Sequence, residues 1–429
     1  MAAFSKAYLA GLLAVLTGAA VLAGCGTDST SSGGGGGAQT IQIWEGYTAA
    51  EAKAFSHLVS EYEAQHPGQK VSPLFVNNDN TLQKVLTAVR GGSPPDIAYL
   101  YGSWAPNVAQ IPQVANLTQV VQRPGVNWND FWTGERAVAT VNGKVIGIPA
   151  VVDNLAVVYN KTLFAKAGLQ PPGPDWTWQE FVADAKKLTN PAIKQFGTAY
   201  VTPGTEDTVW HWEPLLWEAG GQLLTPDNKK AAFDSAAGLA SLNTLRTMAV
   251  TDKSMYLDPS DSTYSNLFNS GKIGMLFTGP WDLSSFPDVN YGVQVLPGLE
   301  NHQTISGPDQ WVLFDNGSER TQAAWTFLKW FTSPQQAMIW STQTGDLPIR
   351  ASQTQLPGYD AYVKKYPGVS VFVQNEANAV KARPVIANYN EVSQAMGQAI
   401  QAVLLGKGQP QQELDQAADQ ADQTLATGQ

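Results

Sequence analysis

Several side chains that could bind a polyhydroxylated ligand directly follow three apolar runs that are predicted to be strands. Flat aromatic rings pack against the C–H faces of a sugar, and carboxylate or amide groups pair with its hydroxyls. Open α/β sheets bind ligands beyond the carboxyl ends of their strands, so we expect these side chains near a ligand. They are Trp44, Glu45, Tyr47, Asn78, Asp79 and Trp104. For Trp44, a position covering the edge of the sheet is an equally good interpretation.

The chain has 14 tryptophans, and most of them are expected to be buried. Those that fall at helical spacing are typical of a hydrophobic core, and those beside a predicted helix start are expected to pack there. The first group is Trp217, Trp325, Trp330 and Trp340, and the second is Trp176 and Trp178.

The sequence lacks the motifs of the common catalytic and metal sites. His211-Trp212-Glu213 has the H-x-E spacing of a zinc deaminase, but Cys25 is the one cysteine and the required Cys pair is missing. H-E-x-x-H and G-x-S-x-G are absent, and glycines 33–37 lack the Lys-Ser or Lys-Thr of a phosphate loop. A glycoside hydrolase that uses two carboxylates, such as Glu45 and Glu213, remains an alternative. We expect no catalytic residue, no metal and no cofactor.

The elements that must position these residues alternate between strand and helix patterns. Strands are expected near 41–44, 71–76 and 97–100, with a helix in each interval. Thr48 and Glu51 form a T-x-x-E capping box for the first helix. This order predicts a β-α-β-α-β unit with a mainly parallel sheet, and therefore the α/β class.

The same alternation continues along the chain. Further strands are expected at 145–149, 155–159, 273–277, 292–296 and 311–314. Thr177 and Glu180 form a second capping box, and Ser333 followed by Pro334 is typical of a helix start after a helix at about 319–331. Two α/β lobes fit a chain of this length better than one.

The first residues have the layout of a secretory signal. Lys6 precedes an apolar run from 7 to 23, which ends in Leu22-Ala23-Gly24-Cys25. These four residues resemble the lipobox of bacterial lipoproteins, in which the cysteine receives a lipid. We therefore expect a lipoprotein signal peptide at 1–24, lipidation of Cys25 and a Gly/Ser-rich tether at 25–38. An ordinary signal peptide that contains a cysteine is the alternative.

The charge balance disfavours nucleic acid. The chain carries 36 acidic and 26 basic residues, a net charge of −10, and such a molecule repels phosphate backbones. We expect no nucleic-acid partner.

The sequence resembles the family-1 extracellular solute-binding proteins of ABC importers, which include maltose-binding protein. The strongest similarity is the stretch 142–149, which has the pattern G-K-x-x-G-x-P, followed by Y-N-K-x-x-F-x-x-A-G-L at 159–169 and a tryptophan at 176. Weaker matches follow in order, among them Gly279-Pro280-Trp281, Leu296-Pro297-Gly298 and Arg383-Pro384. The similarity covers nearly all of 39–425.

This resemblance implies the type II periplasmic-binding-protein fold, with two lobes, a ligand cleft between them and closure by a hinge. Lobe one would be 39–150 plus 298–333, and lobe two would be 151–297 plus 334–425. The chain would cross the hinge near 149–153, 296–298 and 332–334. The resemblance also brings later residues to the cleft: Asp153, Asn154, Trp210, Trp212, Glu213, Trp281, Asp309, Arg383 and Tyr389.

The implied function is capture of a sugar or small oligosaccharide outside the cytoplasmic membrane and its delivery to ABC permease subunits, by a monomer that a lipid at Cys25 anchors to the membrane. A glycerol-phosphate or phosphodiester ligand is the main alternative, because residues 340–350 also resemble glycerol-phosphate binders and Arg383 could meet a phosphate. An adhesin without transport is a further one. Carboxylates outnumber cations among the candidate residues, which favours a neutral carbohydrate.

Overall fold

A computed structural model describes residues 39–260, 263–298, 301–381 and 383–427. The expected signal peptide, Cys25 and the tether lie outside these ranges. No helix in the described ranges combines the length and the apolar character needed to cross a bilayer.

Twelve strands are found in the described part of the chain. They are β1 (Gln39–Glu45), β2 (Gln69–Phe75), β3 (Ile97–Tyr101), β4 (Thr140–Val141), β5 (Lys144–Val145), β6 (Gly147–Pro149), β7 (Ala156–Asn160), β8 (Phe196–Val201), β9 (Met255–Asp258), β10 (Ile273–Thr278), β11 (Tyr291–Gln294) and β12 (Asp309–Leu313).

Fifteen α-helices accompany them in the same ranges. They are α1 (Ala49–Gln65), α2 (Asn78–Arg90), α3 (Ala105–Ala109), α4 (Thr133–Val138), α5 (Lys161–Lys166), α6 (Trp178–Leu188), α7 (Glu206–Glu218), α8 (Ala236–Arg246), α9 (Thr263–Asn269), α10 (Ser318–Phe331), α11 (Pro334–Thr344), α12 (Gly358–Lys365), α13 (Val369–Asn375), α14 (Tyr389–Leu404) and α15 (Pro410–Thr427). Short 3-10 segments include Gly102–Trp104 and Pro280–Ser285.

Each lobe is built on one mixed five-stranded sheet. Lobe one has the order β2-β1-β3-β12-β6, in which β1 runs parallel to β2 and β3, and β12 runs antiparallel to β3 and β6. Lobe two has the order β11-β7-β10-β8-β9, in which β8 runs parallel to β9 and β10. The α/β two-lobe fold and the parallel β-α-β-α-β start are therefore confirmed.

Strands β8 and β9 of lobe two were not expected from the sequence. Strand β8 contains Gly197, which lies directly under helix α6. A Cβ atom at Gly197 would lie 1.9 Å from the carbonyl oxygen of Ala185, so only glycine allows the helix to pack this closely. A glycine inside a short apolar run weakens the strand pattern, although here it marks tight packing.

The two capping boxes have different outcomes. Thr177 and Glu180 form both reciprocal hydrogen bonds at the start of α6, as predicted. At the start of α1, the Thr48 side chain makes no capping hydrogen bond. Glu51 still accepts a hydrogen bond from the Thr48 backbone N–H, so this box is half formed.

The hinge consists of two neighbouring segments. The chain leaves β6 of lobe one and enters β7 of lobe two through 150–155, and it returns to lobe one before β12. The Gly307 N–H donates to the Asp153 carbonyl at 2.7 Å, and the Asp309 N–H donates to the Val151 carbonyl at 3.0 Å. These bonds tie the outgoing and returning segments together at the floor of the cleft.

The returning crossing lies later than the expected 296–298. The Gly298 N–H still donates a hydrogen bond to the Trp176 carbonyl of lobe two. The Thr304 hydroxyl accepts one from the N–H of Leu155, just before the lobe-two strand β7. The change of lobe therefore comes at about 305–308. Helix α11 packs on α1 of lobe one and also touches the 280–285 segment of lobe two. The chain after the predicted boundary at 333/334 therefore contacts both lobes.

Candidate functional site

A cavity of about 700 Å³ lies between the lobes and is lined by both of them, with the hinge as its floor. Lobe one contributes residues that follow β1 and β2 and the last residues of β3, and lobe two contributes the first turns of α7 and α9 and the 280–285 segment. Its charged and aromatic side chains are Glu51, Phe75, Asp79, Tyr99, Tyr101, Asp153, Glu206, Asp207, Trp210, Tyr264, Trp281, Asp282, Asp309 and Arg383. The volume suits a ligand of one to a few sugar rings.

Two tryptophans of lobe two form an aromatic wall. The rings of Trp210 and Trp281 lie 5.8 Å apart at 41°, and Trp210 is almost fully buried while Trp281 is half-buried. The Trp281 ring lies against Gly279, where a Cβ atom would come within 1.8 Å of the ring. The glycine of the Gly-Pro-Trp motif therefore makes room for the ring that faces the cavity.

Asp79 joins the two lobes across the cleft. Its carboxylate accepts a hydrogen bond from Tyr101 of lobe one at 2.9 Å and another from Thr205 of lobe two. Burial, followed by the nearby charge of Asp207, raises the pKa of Asp79 to about 6. The interlobe contact therefore includes a carboxyl group that is readily protonated in mildly acidic solution.

Asp309 is held at the start of β12 by two donors. Tyr99 Oη donates to it at 2.6 Å and the Gly102 N–H at 3.1 Å. Burial outweighs these bonds and the neighbouring Arg383, and it raises the pKa of Asp309 to about 6.

Arg383 is the one Lys or Arg side chain among the described residues that line the cavity, and it is already paired. Its guanidinium lies 2.9 Å from the Glu206 carboxylate, and both side chains are more than nine-tenths buried. Tyr389 and Ser393 of α14 also donate to Glu206. Although burial opposes the charged form, Glu206 raises the pKa of Arg383, so the guanidinium stays charged.

The structure brings six of the sequence-predicted residues together at the cavity surface. They are Asn78, Asp79, Asp153, Trp281, Asp309 and Arg383. Trp210, considered with them, also lines the cavity. Their side chains lie at the cavity surface, and contact between these residues and a ligand stays a prediction.

Two residues that follow β1 turn into the protein instead. Tyr47 is 3% exposed, and its ring packs with Tyr99, Trp311 and Trp340 in the core. Glu45 accepts the Tyr47 backbone N–H at 2.8 Å and is buried, which raises its pKa. Their expected place at the cavity surface is corrected, because the chain turns at residue 46 and its side chains pack inward.

Three of the candidate tryptophans also lie away from the cavity. Trp104 and Trp212 are fully buried, and the Trp212 indole N–H donates to Ser241 inside lobe two at 3.0 Å. Trp44 is half-buried with the Lys84 ammonium 5.1 Å from its ring centre. Strand β1 lies between β2 and β3, so Trp44 does not cover a sheet edge either.

Asn154, Glu213 and Tyr389 are buried behind the cavity. Asn154 donates to the Phe372 carbonyl at 2.9 Å and thereby fixes the hinge. Glu213 lies two turns after Glu206 on the same face of α7, and Tyr389 donates to both carboxylates at 3.2 Å. These three residues support the cavity-lining side chains, and their predicted surface position is corrected.

Sequence reasoning missed several lining residues. Glu51 was interpreted as part of a capping box, Tyr99 as a core strand residue, and Glu206, Asp207 and Asp282 received no assignment. The sequence signal that could have identified Glu206 and Asp207 is the helix start Thr205-Glu206-Asp207 after β8. Acidic side chains stabilise the first turn of a helix, so such a run predicts a helix start. That signal depends on recognising β8, which the sequence pattern did not show.

The described residues contain no group of three or more His, Cys, Asp or Glu side chains that could hold a metal ion. The cavity instead combines aromatic faces with many hydrogen-bond acceptors. This arrangement can bind and orient a polar molecule.

Known proteins match this chain over almost its whole length. A binding protein of Brucella abortus is 27% identical over 428 residues, which cover 95% of this chain and 98% of that protein. The sn-glycerol-3-phosphate-binding periplasmic protein of Salmonella typhimurium is 22% identical over 90% of this chain and 92% of its own. The solute-binding protein of an ABC transporter of Thermotoga lettingae, solved with α-D-tagatose, has a TM-score of 0.79 and 26% identity, and the match covers 90% of this chain and 100% of that chain.

The family model for bacterial extracellular solute-binding proteins matches residues 45–338, more than half of the chain. This stretch contains the lobe-two sheet, the lobe-one sheet except strand β1, and most of the cavity lining. The family consists of binding proteins rather than enzymes. The alternative of a glycoside hydrolase that uses Glu45 and Glu213 is therefore excluded. The chain belongs to the bacterial extracellular solute-binding proteins and is the solute-binding protein of an ABC transporter.

Proposed function

We propose that the protein captures a sugar or small oligosaccharide in the interlobe cavity and delivers it to the membrane permease of its transporter. The observation that carries this proposal is the aromatic wall of Trp210 and Trp281 in a cavity that is otherwise rich in carboxylates. An indole face covers the C–H side of a sugar ring, while carboxylates accept hydrogen bonds from its hydroxyls.

A glycerol-phosphate ligand is the competing candidate, because the Salmonella relative bears that name. A phosphate would need a free cation, and among the described lining residues the one guanidinium, Arg383, is bound to Glu206 at 2.9 Å. The seven carboxylates of the same described lining would repel an anion. The Thermotoga protein, solved with a sugar, is the relative whose ligand fits this charge distribution better.

Delivery depends on closure of the two lobes around the ligand. A ligand stabilises the closed form only by the contacts that it gains on closure. Lobe one offers Asp79 and Asp309, and lobe two offers Trp210 and Trp281, so a bound sugar would touch both lobes. The Asp79–Thr205 hydrogen bond already links the lobes and would be part of the closed state.

A thermal-shift screen tests the ligand class. The purified protein is mixed with monosaccharides, polyols, oligosaccharides, sn-glycerol-3-phosphate and glycerophosphocholine. A ligand at 100 times its dissociation constant adds about 2.7 kcal/mol to stability and raises the melting temperature clearly. We expect shifts with members of the carbohydrate set and none with the phosphates. A shift with a phosphate ligand alone would contradict the proposal.

We further propose that a lipid at Cys25 anchors the mature protein to the membrane. The support is the sequence Leu22-Ala23-Gly24-Cys25 and the Gly/Ser-rich tether that follows it. Cys25→Ala is expected to move the protein from the membrane fraction to the soluble fraction, with Ser29→Ala as a matched control. Intact mass spectrometry would show a diacylglycerol mass on the native chain; an unmodified Cys25 would refute the anchor.

A further inference from the structure

Two carboxylates at the cavity surface lack hydrogen-bond and ion-pair partners that the other lining carboxylates have. Asp153 is 8% exposed and its Oδ1 atom is buried with no partner, although the residue lines the cavity. Among the described residues, the Thr48 backbone N–H is the hydrogen-bond donor that Glu51 has. Within the described ranges, neither carboxylate pairs with a Lys, Arg or His side chain.

Each of the other lining carboxylates has at least one side-chain partner in the protein, although Oδ2 of Asp207 is, like Oδ1 of Asp153, a buried oxygen with no partner. Asp282 accepts the hydroxyls of Ser265 and Thr278 at 2.7 and 2.6 Å. Asp207 lies 3.2 Å from His211. Together with Asp79, Glu206 and Asp309, whose donors are described above, they leave Glu51 and Asp153 as the pair without a counter-charge or a hydroxyl donor.

A third carboxyl group lies close behind this pair. Asp346 is 1% exposed and accepts the Trp340 indole N–H at 2.5 Å. Burial, followed by the charge of Asp346, raises the pKa values of both Glu51 and Asp153 well above the usual range. The negative charges of the three groups oppose one another, with Glu51 and Asp153 in the cavity lining and Asp346 behind it; we call Glu51, Asp153 and Asp346 the acidic corner.

Carboxylates in such a place must be protonated or meet a cation, because burying an unpaired charge is costly. The described part of the chain supplies no free cation here, since Arg383, its one lining Lys or Arg, is paired with Glu206. The described side chains also offer no cluster suited to a metal ion. An organic ammonium group is larger, donates three hydrogen bonds and needs no fixed coordination geometry.

We propose that the acidic corner binds the protonated amine of the ligand, so that the protein prefers an aminated sugar or polyol to its neutral counterpart. The inference rests on the proposed carbohydrate function and narrows it. In the bound state the amine donates to the Asp153 and Glu51 carboxylates, which both line the cavity. The remaining hydroxyls and the ring face are left for Asp79, Asp309 and the aromatic wall.

Matched pairs of ligands test the preference by titration calorimetry. The pairs are glucosamine with glucose, galactosamine with galactose, 1-amino-1-deoxysorbitol with sorbitol, and the glucosamine dimer with its N-acetylated form. We expect the aminated member of at least one pair to bind at least tenfold more tightly than its partner. If the neutral sugar binds as tightly as its aminated partner, or more tightly, in every pair for which binding is detected, the inference is overturned. The proposed carbohydrate function would still stand in that case.

Two variants locate the preference in the acidic corner. Glu51→Gln and Asp153→Asn each keep the size of the side chain and remove its charge, so the ratio of aminated to neutral affinity is expected to fall at least fivefold. Glu391→Gln, on the exposed face of α14, is the matched control and keeps the native ratio. An unchanged ratio in both corner variants would overturn the assignment. If no saccharide of either kind binds the native protein, the proposed function fails together with this inference.

Discussion

Removal of the Arg383 guanidinium should destabilise the protein strongly, because it leaves Glu206 without a counter-charge. Glu206 and Arg383 are both more than nine-tenths buried, and Glu213 lies near enough to share Tyr389 as a donor. In Arg383→Met the side chain keeps most of its length and apolar contacts while the charge disappears. The cost therefore reports the electrostatic role of the pair rather than a cavity.

The expected magnitude follows from the burial of the pair. Breaking a buried ion pair by removing one partner costs about 3–5 kcal/mol. Unfolding entropy is about 2.1 cal/mol/K per residue, which gives about 0.8 kcal/mol/K for the described part of the chain. The melting temperature of the unliganded protein should therefore fall by about 4–6 °C.

Differential scanning calorimetry measures this shift, and two further variants make it specific. Arg383→Met combined with Glu206→Gln removes both charges and should recover at least half of the loss, since no unpaired ion remains. Lys70→Met removes the cation of the exposed Lys70–Glu63 pair and should shift the melting temperature by no more than about 1 °C. A shift below 2 °C in Arg383→Met, or a double variant no more stable than the single one, would show that Arg383 does not neutralise a buried Glu206 charge.

Three other predictions follow from the same geometry. Trp281→Ala should weaken calorimetric sugar affinity at least tenfold while the melting temperature stays within about 2 °C, and an unaltered affinity would remove Trp281 from the site. Gly279→Ala places a Cβ atom 1.8 Å from the Trp281 ring and should also lower affinity, whereas Gly173→Ala, with open space around it, should leave affinity unchanged. Asp79 and Asp309 have pKa values raised to about 6, above their unfolded values near 4. Between these values the folded state binds more protons than the unfolded state, so the free energy of unfolding falls as the pH rises from about 4 through 6. The unliganded protein should melt at a higher temperature at pH 5 than at pH 7.5, and the opposite order would show that these carboxyls are not buried as described.

The first half of lobe one was predictable because its signals are local. Apolar runs, helical spacing and the turns at 66–68 and 91–92 all lie within short windows, and the parallel order follows from their alternation. Strands β8 and β9 were missed because one contains Gly197 and the other is only four residues long. The late hinge crossing depends on Gly298 bonding to Trp176, a contact between distant parts of the chain that no local pattern shows.

The site was predictable in its location but less so in its side chains. The rule that ligands bind beyond the carboxyl ends of strands indicated the segments after β1 and β2, which line the cavity, but from β3 the lining residues Tyr99 and Tyr101 belong to the strand itself. It does not say which side chain of a loop points outward, and Tyr47 and Trp104 both turned into the core. Glu51 reaches the cavity from a helix start, where its capping pattern concealed a second role.

Titration calorimetry of the purified protein against a carbohydrate panel and against sn-glycerol-3-phosphate, with Trp281→Ala titrated in parallel, decides between a carbohydrate ligand and a phosphate ligand. We expect that at least one sugar or small oligosaccharide binds the native protein, that the variant loses at least tenfold of this affinity, and that glycerol phosphate gives no heat of binding. Tight binding of glycerol phosphate with no response to any saccharide would contradict this expectation.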